Sequence, residues 1–179
     1  WKLVKIGTTQ TQRKLFFNLA KEIIRRPGFS SILKIKQAMF KTGLHLFAGQ
    51  EFESFLSLYL KSSSGFLDDQ TVRTITEVRN DKEDLEAIHR ILKNEIKEFS
   101  GSKTELAETA VSSLLNLLAE FGVHHPSQYK RIRQMIVRYQ LDSEHAGLAE
   151  TATISRHILL KGFRKWLGKN QEVRRVLFR

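Results

Sequence analysis

The chain contains no cysteine. That removes disulfide staples, thiolate metal sites and thiol nucleophiles together, and the expectation it leaves is a reducing, intracellular setting, cytoplasmic in the simplest reading. Proline is scarce, with only Pro27 and Pro126 among 179 residues, so helices meet few obligatory breaks. No apolar run approaches the roughly 20 residues that cross a bilayer, and a membrane span is not expected. A Gly-rich phosphate loop, a G-x-S-x-G elbow and an H-E-x-x-H helix are all missing, and with them any motif support for the chemistries they mark. No cofactor is implied.

What is present is enough for a core. Hydrophobic residues make up 41% of the chain, which favours one folded domain over disorder at this length. The first residue is Trp1 rather than Met, and no signal-peptide pattern follows it. Residues 1–179 are therefore read as a single domain cut from a longer protein, with that protein's other domains as expected neighbours.

Net charge is +11, and it is unevenly placed. Residues 1–48 carry ten Lys/Arg against one acid, residues 67–110 seven against eleven, and residues 126–179 twelve against four. Two readings fit basic ends around an acidic middle. In one the segments neutralise each other internally; in the other the surplus attracts a polyanion such as nucleic acid, or an acidic protein surface.

The segment from Ser102 to Gly122 organises the rest. Projected at 100° per residue, Leu106, Ala107, Ala110, Val111, Leu114, Leu115, Leu117, Leu118 and Phe121 fill one half of a wheel. Glu105, Glu108, Thr109, Ser112, Ser113, Asn116 and Glu120 fill the other. So wide an apolar arc requires several partner helices, and the spacing predicts a central helix over 103–121. Ser102 and Glu105 form a capping box and Gly122 is the expected stop.

Seven further helices are read around it, together with an N-terminal arm, WKLVKIGT. A first, from about Thr9 to Arg26, has Leu15, Phe16, Leu19, Ala20, Ile23 and Ile24 at helical spacing and Pro27-Gly28 as its turn. A second starts at Ser30 or Ser31, faces inward with Ile32, Ile35 and Met39, turns Lys34, Lys36 and Lys41 elsewhere, and stops at Gly43. Gln50 to Lys61 uses Phe52, Phe55, Leu56 and Tyr59, ending in Ser62-Ser63-Ser64-Gly65. A short helix capped by Asp68 or Asp69 aligns Val72 with Ile75. Asn80 or Asp81 caps the next, striped by Leu85, Ile88, Leu92, Ile96 and Phe99.

Beyond the centre, Ser127 is placed as the cap of a helix reaching Gln140, with Tyr129, Ile132, Met135, Ile136 and Tyr139 inward. A last helix, about Ser143 to Leu167, buries Leu148, Ala152, Leu159, Phe163 and Trp166, shows His157, Lys161, Arg164 and Lys165, and ends at Gly168. QEVRRVLFR trails after it. No repeat of tetratricopeptide, HEAT or ankyrin period occurs. The fold class is all-α, a single compact bundle of about eight helices.

Three constellations bear on catalysis or metal binding. Glu86-x-x-His89 and Asp142-x-x-His145 match the ligand spacing of carboxylate-bridged iron sites. Nineteen acids and six histidines give about 0.6 such matches by chance, so surface or capping roles compete directly. Arg138 followed by His145, with six residues between, resembles the spacing of helical HEPN-type ribonucleases, yet about 1.4 such matches arise by chance. His124-His125 sits in a turn with no neighbouring acid. An enzyme with a carboxylate–histidine metal site or HEPN-like cleavage is thus the third reading.

The leading expectation is a non-catalytic module that binds nucleic acid through the outer faces of its last two long helices. Its contact residues are Lys130, Arg131, Arg133, Arg138, Lys161, Arg164 and Lys165. The aromatics among them project inward and build the core. The alternative is a protein-interaction or scaffold domain meeting an acidic partner.

Overall fold

Thr9 starts the first helix by exchange: its hydroxyl accepts from Gln12 N at 3.3 Å while Gln12 Oε1 accepts from Thr9 N at 2.8 Å. Two of the orphan donors at a helix start are satisfied by that pair. In the computed structural model, which describes residues 9–26, 30–79, 81–102, 105–141 and 146–170, every extended regular element is helical. Side chains are described over the same residues except 30–33, 99–102, 105–107, 140–141 and 146–148. The helices are α1 (Gln10–Arg25), α2 (Ser30–Leu46), α3 (Gly49–Ser62), α4 (Asp69–Val78), α5 (Lys82–Ser102), α6 (Glu105–His124), α7 (Tyr129–Leu141) and α8 (Ala146–Lys169). A 3-10 turn over Pro126–Gln128 leads into α7, so Ser127 lies inside that turn rather than capping the helix.

The central helix is α6, packed against α4, α5, α7 and α8. Ala110, Val111, Leu114, Leu115, Leu117, Leu118, Ala119 and Phe121 are all buried. Truncating Leu114 or Leu118 to Ala would cost about 2–5 kcal/mol in lost burial and cavity formation. The polar half of its wheel is not simply solvated. Ser113 Oγ accepts from Leu67 N at 3.1 Å, Ser112 meets Thr151 at 3.3 Å, and Asn116 Oδ1 accepts from Ser155 Oγ at 2.9 Å. With helices on several sides, even the polar face must hydrogen-bond to protein.

Gly122 does not stop α6, which continues to His124. It is buried where α8 comes close: a Cβ there would lie 2.4 Å from Leu159 Cδ1. Gly43 likewise sits inside α2, against the ring of Phe55, and Gly168 lies within the last turn of α8. Asn170 ends α8 by donating its side-chain N–H to Trp166 O at 2.8 Å. The stop after α3 falls at the expected serines. Ser64 and Gly65 both have positive φ, and Gly65 N bonds back to Leu60 O at 2.7 Å.

An aromatic cluster joins the first three helices. Phe16 and Phe17 of α1 pack on Phe47 at centroid distances of 6.0 and 5.5 Å, and Phe47 packs on Phe55 at 5.0 Å. Phe40 and Leu44 are buried with them, whereas Ile35 points outward. Leu15 and Leu19, expected on the inner face of α1, are 64% and 54% exposed. They lie one residue, or 100°, from Phe16 and Ala20, and among the described residues α1 packs mainly on α2 and α3, too little surface to cover the whole arc. The buried hydrophobics nevertheless form one continuous cluster from Ala20 to Leu159.

Asp68 caps α4 by accepting from Thr71 N at 2.6 Å. Asp81 precedes α5, and Asp84 Oδ2 reaches back to its N–H at 3.4 Å. Leu85, Ile88 and Leu92 are buried as expected. Phe99, Ile32, Leu106, Ala107, Leu148 and the Ser102–Glu105 capping box have side chains outside the described residues. So do the N-terminal arm, the Pro27-Gly28 turn, the start of α2, Asp142 to His145 and the final nine residues.

Candidate nucleic-acid interface

Four residues separate α7 from α8, which forces them to run antiparallel side by side. The pairing is fixed by aromatics: the Tyr129 ring stacks on Phe163 at 3.8 Å and 12°, and Phe163 on Trp166 at 5.6 Å. Ile132, Ile136, Ala152 and Leu159 are buried beneath. These rings pack against one another between the two helices, and all three are half-buried rather than in the core as projection suggested.

The register places the start of α7 beside the C-terminal half of α8. Lys130 and Arg133 therefore stand at the same end of the pair as Lys161, Arg164 and Lys165, all five exposed. Among the described residues none of these five makes an ion pair. Arg138 is also exposed but lies eight residues further along α7, about 12 Å from Lys130 along the axis at 1.5 Å per residue.

Arg131 belongs elsewhere. Its guanidinium pairs with Glu86 Oε1 of α5, and both side chains are one-third exposed. Sequence projection set Arg131 on the outer face, yet it lies at the margin between outer and inner residues, where α5 supplies an acid. Of the seven expected contacts, six remain on the outer faces and Arg131 is engaged in tying α7 to α5.

The residues that suggested a metal site are held by other partners. Glu86 takes Arg131, and His89 Nε2 lies 2.9 Å from Tyr139 Oη. His125 Nε2 is 3.1 Å from Thr76 O, and its ring lies 4.6 Å from that of Phe121, fastening α4 to the end of α6. Asp142 and His145 are outside the described residues, so the Arg138–His145 spacing acquires no geometry. Among the described residues no three His, Asp or Glu side chains converge as a metal set, and no helix is long and apolar enough to cross a membrane.

Two features had no clear sequence signature. One is the seam where α5 and α7 are bridged over α6 by Glu86–Arg131 and His89–Tyr139. Glu86 and His89 stood out only as a metal-ligand spacing, and the inward Tyr139, whose hydroxyl needs a partner, was the further clue. The other is a cavity of about 430 Å³ between α1 and α3, floored by Phe17 and Phe47 and rimmed by Arg13, Asn18 and Glu51.

Burial, then Lys93 and Arg138, hold the His89 imidazole below its ordinary value, and burial pushes the Tyr139 phenol up to about 12. At neutral pH the phenol keeps its proton and the imidazole is neutral, so this hydrogen bond joins two uncharged groups and its direction follows the imidazole tautomer. Comparisons with protein-family models, curated proteins and solved structures give no match.

Proposed function

We propose that the protein binds the phosphate backbone of nucleic acid, without performing chemistry on it, through Lys130, Arg133, Arg138, Lys161, Arg164 and Lys165. The observation behind this reading is the set of five exposed cations at one end of the α7–α8 pair, none with an ion-pair partner among the described residues. Cations already neutralised by acids have little to offer a polyanion. These five can release counterions from a phosphate chain, which favours binding without regard to base sequence. The rings of Tyr129, Phe163 and Trp166, packed on one another, are not needed by that reading, because base stacking is not required.

The test is binding of labelled single- and double-stranded DNA and RNA across a salt titration, for wild type and for Lys130→Gln/Arg133→Gln/Lys165→Gln. Wild type should bind at low salt and weaken steeply as salt rises. On duplex DNA the triple variant should lose about 0.9 of logarithmic slope per abolished contact. No binding at low salt, or an unchanged slope in the variant, defeats the reading and leaves the interaction-domain alternative.

A further inference from the structure

We propose that the cavity between α1 and α3 binds a small aromatic anion: a ring that carries a carboxylate or a phosphate ester. This goes beyond the basic strip, since α1 and α3 supply none of its six cations. The test therefore stands whether or not nucleic acid binds.

Size and floor set the body of the ligand. At about 430 Å³ the cavity falls within the roughly 300–1,000 Å³ that small-molecule sites occupy. Its floor is aromatic. Half-buried Phe17 meets buried Phe47 edge to face at 5.5 Å and 73°, and it tilts against Phe55 at 6.2 Å. Those are the distances and tilts at which the positive edge of one ring meets the negative face of another. A further ring in the cavity extends the cluster by the same contacts. An aliphatic group of equal size fills the space without them.

The rim sets the charge. Among the lining residues Arg13 and Lys14 are cationic and Glu51 is the single acid, so one positive charge is in surplus. Arg13 is also loosely held. Its Nη1 is 3.7 Å from Glu51 Oε2, beyond hydrogen-bond reach, and both side chains are more than a third exposed. Its Nε is shielded from solvent and has no hydrogen-bond partner among the described residues.

An N–H in that position has given up water and gained no acceptor in return. Little therefore fixes the side chain where it stands. Turned toward a ligand in the cavity, its Nε–Nη2 edge donates two parallel hydrogen bonds to one carboxylate or phosphate, while Nη1 keeps Glu51 as its neighbour. Lys14, exposed on the next residue of α1, adds its charge from the rim. Ring and anion are thus met by different parts of one cavity, which separates this ligand from a bare ion and from an uncharged ring.

Benzoate and phenyl phosphate are the probes. Acetate and inorganic phosphate supply the anion without a ring, and benzyl alcohol supplies a ring without the charge. Each is titrated into the full chain while backbone amide shifts are followed by NMR. At least one aromatic anion should bind saturably and move the amides around Lys14, Phe17 and Ser54, and the three controls should bind several-fold more weakly. Arg13→Gln should weaken the aromatic anion several-fold. Ser54→Trp, a bulky change at an exposed lining position, should block it by filling the cavity. Lys130→Gln/Arg133→Gln/Lys165→Gln should bind it as wild type does. Tighter binding of benzoate identifies a carboxylate as the natural group, and tighter binding of phenyl phosphate a phosphate ester. The proposal is overturned if neither aromatic anion binds saturably, or if acetate and inorganic phosphate bind as well as their aromatic counterparts. It is equally overturned if Arg13→Gln and Ser54→Trp both bind as wild type does, or if the triple variant on α7 and α8 abolishes binding.

Discussion

Val123 of α6 rests on the bare backbone of Gly162 in α8: a Cβ on Gly162 would come within 2.3 Å of Val123 Cγ2, 2.8 Å of Cγ1 and 3.0 Å of Cβ. One residue earlier the relation is mirrored, with Leu159 of α8 against Gly122 of α6. Each helix offers the other a missing side chain, so their axes approach closely at the last turn of α6.

Substituting Gly162 by Ala sets two effects against each other. Helix propensity favours Ala by up to about 1 kcal/mol, but overpacking against a branched residue close to its own backbone costs about 1–3 kcal/mol. Overpacking should win, because all three Val123 contacts lie at or below 3.0 Å. Urea unfolding should show net destabilisation, with partial recovery in Gly162→Ala/Val123→Ala. Gly168→Ala, where nothing lies within 4 Å, should instead stabilise by about 0.5–1 kcal/mol.

Arg79 connects the end of α4 to α3, to α5 and to the link between α2 and α3. Its Nη2 donates to Phe47 O, its Nη1 lies 3.3 Å from Asp84 Oδ1, and its guanidinium sits 4.7 Å from the centre of the Phe52 ring. Burial acts against both charges, holding Arg79 below and Asp84 above their ordinary values despite the attraction between them. The pair itself is therefore a modest source of stability, but removing one partner strands the other. Arg79→Ala should cost about 3–5 kcal/mol in chemical denaturation. Arg79→Met with Asp84→Leu should recover most of that loss.

These anchors show where sequence reading succeeds and where it stops. Periodicity located all eight helices of the described residues, since Leu85–Ile88–Leu92 and Phe52–Phe55–Leu56 carry their own spacing. The cap at Asp68 was legible because it acts within three residues. What escaped was set by distant partners. Glycine reads as a helix stop in one dimension, yet Gly43 and Gly122 are used for close approach to Phe55 and Leu159. Leu15 and Phe16 read alike until the packing of α1 is known. The basic face was legible as a list of residues, but the subtraction of Arg131 depends on Glu86, 45 positions away.

Glu95 links packing to pH. It is 4% exposed, and burial, with Glu98 adding and Lys61 opposing, raises its carboxyl above the ordinary value. The native state therefore binds more protons than the unfolded state just above the usual carboxylate range. In that window its contribution to stability falls as pH rises. Glu95→Gln should remove this slope and raise the melting temperature at neutral pH. Asp84 retains a slope of the same sign, so the wild-type minus variant curve is the readout. His89 acts oppositely: its lowered value gives a contribution that is present above about pH 6.5 and lost as pH falls.

Arg131 and Arg133 are two residues apart on α7, yet they should separate stability from binding. Arg131 meets Glu86 with about a third of each side chain exposed, so solvent screening limits the pair to about 0–1 kcal/mol. Arg131→Gln should lower stability by that small amount while leaving the salt dependence of nucleic-acid binding nearly unchanged. Arg133→Gln should leave urea unfolding within about 0.5 kcal/mol of wild type, since it removes no ion pair among the described residues. On duplex DNA it should reduce the logarithmic salt slope by about 0.9. If the two variants exchanged these phenotypes, the Glu86 bridge would not be holding Arg131 in solution, and the phosphate-facing surface would turn toward α5.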